Sequence, residues 1–282
     1  MGTSSIFYGP KDSQQGLLPY DFQSDDNSGN IKDLDTDNTV NQGSETDKPS
    51  VAIPQTTIPW ATVKSNLSKF SSSYNSIGNS SKNDRIKKIV GQHVKASGGA
   101  GRLASRLSTG ISSGNKLFDF LSGLSTSGYQ RTFENLQISL KGKSQKEVFS
   151  QLVKELSGPS NTKDDIVSSK AMQAALSEIY DYLERNEMDF EALDNMTEEL
   201  VAHCMVAYIT ELVWGTLLND LGCRIEKYAE DAKSAEAIES EFKEYISNTV
   251  TVEFKKNYNN SNPHEFVSAI ITKCYENMEL FI

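Results

Sequence analysis

The residue with the freest chemistry in this 282-residue chain is Gly2. A residue this small permits removal of Met1, which leaves an α-amine with no Cβ to hinder it. Such an amine has a pKa of about 7.7–8.0, so on the order of a tenth of it is neutral and nucleophilic at pH 7. A flexible leader could carry it into another protein's active site. N-myristoylation is the rival use of a Met-Gly start, but its M-G-x-x-x-[ST] pattern needs a hydroxyl at position 6, where this chain has Ile6. Met-Gly is also simply a common way for a chain to begin.

The interior offers less. His93, His203 and His264 have no second ligand at metal spacing, and neither C-x-x-C nor H-E-x-x-H occurs. His203 and Cys204 are neighbours, but adjacent helical residues point about 100° apart, which argues against a thiol and its base. Both read as ordinary core or boundary residues. Glu211 lies in an apolar stretch, either as a buried acid or paired with an Arg or Lys of another helix, and pairing is the expectation. The expectation is therefore no catalytic residue, no metal and no cofactor. Cys204, Cys223 and Cys274 are odd in number and lie in apolar contexts, as reduced, buried thiols of a cytoplasmic protein do.

Gly98-Gly99-Ala100-Gly101-Arg102 invites comparison with a phosphate loop. It lacks the G-K-[ST] ending and has no strand before it. Small residues here would equally let two helices approach closely, or admit a partner's backbone. Around it the charge changes sign. Residues 1–59 carry 3 basic and 9 acidic side chains, residues 60–131 carry 11 and 2, and residues 132–282 carry 14 and 27. The basic middle, with Lys87, Lys88, Lys95, Arg102 and Arg106, could hold nucleic acid. It could also dock on acidic helices of the same chain or of a partner, the favoured reading for a chain of net charge −10.

The elements that must position these groups are helical. Residues 1–58 are rich in Asp, Asn, Ser, Gln and Gly without a period, the composition of a disordered tail that cannot offset its ordering entropy. Ile6-Phe7-Tyr8-Gly9-Pro10 and Leu17-Leu18-Pro19-Tyr20-Asp21-Phe22 interrupt it as apolar islands of the kind that fold onto a partner groove. Residues 59–131 read as a basic Gly/Ser-rich helical segment. It has a helix from Trp60 with Val63, Leu67 and Phe70 on one face, then a basic helix from Asp84 with Ile86, Ile89, Val90 and Val94 as its stripe. Shorter helices are expected over Lys116–Leu124 and Tyr129–Leu136, with Gln137–Leu140 left open. Residues 132–282 read as a helical bundle. Ser144/Glu147 and Thr162/Asp165 are cap signals, Met172, Leu176, Ile179 and Leu183 recur at helical spacing, and Gly158-Pro159 is a stop. Thr197 to Tyr228 reads as a buried central helix rather than a membrane span, because Glu211, Asn219 and Asp220 interrupt it. Ile238, Phe242, Tyr245 and Val252 are expected to line the next helix. Phe266, Ile270, Cys274 and Met278 line the last, which opens at Asn262-Pro263-His264-Glu265. The fold class is all-α, a helical bundle behind a disordered N-terminal tail, and no signal peptide is legible.

The start Met1-Gly2-Thr3-Ser4-Ser5, with Gly9-Pro10-Lys11, Leu17-Leu18-Pro19 and the central Ser97–Arg102 followed by Ser105-Arg106, resembles the B-component (QatB) family of bacterial Qat anti-phage defence systems. One departure is Tyr20-Asp21-Phe22, where the family pattern would place a tryptophan. The resemblance implies a defence complex with three further proteins. These are an ATPase (QatA), a protein similar to the queuosine-pathway deazaguanine synthase (QatC) and a TatD-like nuclease (QatD). It also implies that the synthase-like partner activates a carboxy-deazaguanine with ATP, and that the Gly2 amine attacks where ammonia ordinarily would. The tail would then dock on that partner through Thr3, Ser4, Ser5, Phe7, Tyr8, Gly9, Pro10, Leu17, Leu18 and Pro19. This would make the chain a non-enzymatic subunit.

Overall fold

A computed structural model describes residues 58–258 and 265–281. The tail residues singled out above, Gly2 to Phe22, and the Asn262-Pro263-His264 cap lie outside the described residues. What is described is helical, with no strand among the described residues.

Ten α-helices follow in order: α1 (Trp60–Ser72), α2 (Asn79–Ala96), α3 (Ala100–Arg106), α4 (Ser108–Ser127), α5 (Tyr129–Asn135), α6 (Gln145–Ser157), α7 (Lys163–Arg185), α8 (Glu198–Tyr228), α9 (Ala232–Asn257) and α10 (Phe266–Glu279). Several ends are set by local chemistry. Ser144 accepts from the Glu147 N–H while the Glu147 carboxylate accepts from the Ser144 N–H, and Thr162 and Asp165 do the same for α7. These backbone bonds hold both capping carboxyls below their ordinary pKa. Gly158, at φ +72°, ends α6.

The long α8 organises the rest. Its side chains from Val201 to Leu217 are buried on most faces, with α7 and α9 packed along it and α1 against it. It is long and apolar enough to cross a membrane, and 67% of its most apolar window is buried inside the fold, as the core-helix reading expects. α4 approaches it closely: the Tyr208 hydroxyl donates to the Gly110 carbonyl at 2.6 Å, and a Cβ on Gly110 would sit 2.5 Å from a Leu212 methyl. The stripes expected for α1, α2, α7 and α10 are all buried, apart from the half-buried Trp60.

The structure corrects the sequence reading in four places. α2 begins at Asn79 rather than Asp84, although Asn79-Ser80-Ser81 is linker-like in composition. Tertiary contact supplies the reason: Lys82 in that first turn lies 3.6 Å from the centre of the Tyr74 ring and 3.7 Å from the Glu241 carboxylate. α4 extends well beyond Lys116–Leu124. On α9 the buried stripe is Ile238, Phe242, Ile246, Val250 and Phe254, while Val252 is exposed, because the true period runs in fours from Phe242. Cys223 is exposed; only Cys204 and Cys274 are buried.

Candidate functional site

The basic segment meets the acidic half of the chain at Asp220. This carboxylate interrupts the apolar run of α8 and is shared by two side chains of the basic segment. Its Oδ2 lies 3.0 Å from His93 Nε2 of α2, and its Oδ1 3.5 Å from Arg106 Nη2 of α3. Burial pushes the Asp220 carboxyl up, but the His93 hydrogen bond and charge, followed by Arg106, outweigh it and hold the carboxyl below its ordinary value. His93 is only 1% exposed, and the edge of Trp60 closes its other side with ring centroids 5.5 Å apart. An imidazole enclosed by a carboxylate and an indole is a clamp between α1, α2 and α8. It is not a base held out toward a substrate.

The glycine corner next to it is equally committed. The Gly99 N–H donates to the Val94 carbonyl and the Gly98 N–H to the Lys95 carbonyl, both at 3.0 Å, which is the Schellman pattern that ends a helix. Gly98 and Gly99 have φ of +95° and +91°, a region that side chains with a Cβ rarely enter. The Ala100 N–H that opens α3 then donates to Glu279 Oε2 at 3.1 Å. A carboxylate from α10 therefore occupies the position a bound phosphate would take. Gly98 and Gly99 serve the turn between α2 and α3, while a Cβ on Gly101 would meet nothing within 4 Å.

The other candidates divide. Arg106 is paired with Asp220, Lys87 lies over the Phe281 ring at 5.4 Å, and the Arg102 side chain folds back beside Gly98. Lys88 is exposed and Lys95 half-buried, and no ion pair joins either to an acid among the described residues. Glu211 pairs with Lys243 of α9, as expected of an acid in an apolar helix. His203 is exposed while Cys204 is buried, with its thiol pushed up to about 12 by burial and then by Glu178, so the two form no catalytic pair. Among the described residues, no group of three or more His, Cys, Asp and Glu stands close enough to hold a metal ion. Sequence reasoning missed the roles of Asp220 and Glu279. For Asp220 a signal was present, a charge breaking an apolar helix; Glu279 gave none, since its partner is a backbone N–H far away in sequence.

The family model for "Qat anti-phage system associated protein QatB" matches residues 98–278, well over half of the chain. The chain belongs to the QatB family. The match runs from the Gly98 corner to Met278, so it takes in the bundle from α3 through α10, while α1 and α2 precede it. No curated protein and no solved structure matches the chain. As a QatB-family member it is a component associated with an anti-phage system, and QatB membership brings partners within that system.

Proposed function

We propose that this QatB-family chain is a non-enzymatic, cytoplasmic subunit of its defence complex, and that its Gly2 amine is the acceptor for a deazaguanine-type nucleobase. In this reading the synthase-like partner converts a carboxy-deazaguanine and ATP into an acyl adenylate and pyrophosphate. The neutral Gly2 amine attacks the acyl carbon, AMP leaves, the amine gives up a proton, and an amide bond remains. The tail segments around Phe7–Pro10 and Leu17–Pro19 dock on the partner, while the helices anchor the tail. The observation that supports the reading is the family match to an anti-phage system component, taken together with the Met1-Gly2 start of the chain. The engagement of His93, Asp220, Arg106 and Glu211 in contacts between helices supports a scaffold role for the body.

Intact-mass analysis of the chain co-expressed with the synthase-like partner tests this. A nucleobase-sized addition on the N-terminal peptide is expected, and it should disappear when a tag masks Gly2. A bare Gly2 in the presence of an active partner overturns the proposal.

A further inference from the structure

α6 and α7 pack side by side, and the surface between them opens into a groove of about 650 Å³. Its floor is apolar. Phe149 and Leu176 are buried there, while Val153 and Tyr180 are only half-buried and keep accessible surface inside the groove. The rings of Phe149 and Tyr180 meet edge to face, with centroids 5.7 Å apart and planes at 88°, which fixes Tyr180 as one side of the cleft.

The charge of this groove runs against its surroundings. Residues 132–282 carry 27 acidic and 14 basic side chains, yet no acid lines the groove. Its α6 edge bears Lys146 and Lys154, both exposed and neither in an ion pair among the described residues. Its α7 edge, at Gln173 and Ser177, is uncharged. Eight positions of helix set the two lysines about 12 Å apart along α6. Their aliphatic stems can cover an apolar occupant while the ammonium groups stay in water.

We infer that this groove receives an extended acidic segment of a partner protein, with apolar side chains between its carboxylates. The apolar floor selects for side chains rather than a phosphate backbone, and the two unpaired lysines select for carboxylates. Four residues of extended chain span about 13 Å, so carboxylates at the first and fifth positions match the lysine spacing. The second and fourth side chains then point the other way, into the floor. Their burial supplies most of the affinity, because exposed ion pairs contribute little, and the lysines supply the choice of partner. The groove lies within the part of the chain that the family model matches. The inference is independent of the Gly2 reading, because it involves only α6 and α7.

The test uses the full chain and a dye-labelled peptide with the core Asp-Phe-Ser-Leu-Asp, read by fluorescence anisotropy. This peptide should bind. Versions with lysines in place of the aspartates, or serines in place of the phenylalanine and leucine, should bind at least tenfold more weakly. Lys146→Gln with Lys154→Gln should weaken binding at least threefold, and Ser177→Trp, at an exposed position on the α7 edge, should abolish it by filling the groove. Lys88→Gln with Lys255→Gln, exposed lysines outside the groove, should leave it unchanged. No binding, equal weakening by both lysine pairs, or equal binding of either altered peptide overturns the inference. So does self-association of the chain that Ser177→Trp abolishes, which would give the groove to a second copy.

Discussion

His93 Nε2 and Asp220 Oδ2 lie 3.0 Å apart although 127 positions separate them in sequence. This contact joins the helix richest in positive charge to the most deeply buried helix of the acidic half. It turns a charge pattern visible in the sequence into a tertiary restraint.

Replacing Asp220 by Asn keeps the shape and removes the charge shared by His93 and Arg106. The expected loss is about 1–3 kcal/mol, read from urea unfolding at neutral pH. The folded-state pKa of Asp220 is depressed, so its contribution is complete above the unfolded value of about 4 and is lost as pH falls through the folded value. The gap between the native chain and Asp220→Asn should therefore hold at neutral pH and close on acidification below about pH 4. A gap that widened on acidification would contradict the assignment.

At the glycine corner, Gly99→Ala forces a side chain into a backbone region reserved for glycine. A loss of about 1–3 kcal/mol is expected, seen as a lowered Tm. Gly101, two residues on, lies within α3 and would meet nothing within 4 Å of a new Cβ. Gly101→Ala should be neutral or stabilising by up to about 1 kcal/mol. Equal damage from both would mean that this run has a role beyond turning the chain.

The cysteines should separate by reactivity. Burial pushes the Cys204 and Cys274 thiols up to about 12, while Cys223 lies exposed on α8. A thiol reagent added to the native chain at pH 8 should label Cys223 rapidly and the other two only after denaturation. Rapid labelling of Cys204 would show that α7 and α8 separate far more readily than their packing implies.

Nucleic-acid binding offers a fourth check. With Arg106, Lys87 and Lys82 already engaged within the chain, the basic segment keeps only part of its formal charge for outside partners. Duplex DNA should bind the full chain no better than about 10⁻⁴ M at physiological salt, the weak end of non-specific binding. Tighter binding that fell steeply with salt would restore an adaptor role for this segment.

Much of the architecture was legible because it is local. The capping boxes at Ser144 and Thr162, the stop at Gly158 and the stripe from Met172 to Leu183 are each encoded within a few residues. The start of α2 was not, because Lys82 is fixed by Tyr74 and Glu241 and not by its neighbours in sequence. The α9 stripe was misread at Val252, which is as apolar as the Val250 actually buried, so that only packing distinguishes them, whereas Tyr245 packs half-buried against the core. The polar node was half legible: the charge pattern forecast docking of basic on acidic helices, but no spacing rule pairs His93 with Asp220.

The bond from Ala100 to Glu279 has a temporal side. The two groups are 179 positions apart, so a chain emerging from the ribosome displays α2 and α3 long before the carboxylate that completes their corner has been made. The same holds for every apolar side chain of α2 and α3 that rests on α10. Maturation of this body is thus a late, long-range event governed by slow loop closure. A nascent chain therefore spends an interval with the corner between α2 and α3 formed but its closing carboxylate still to come.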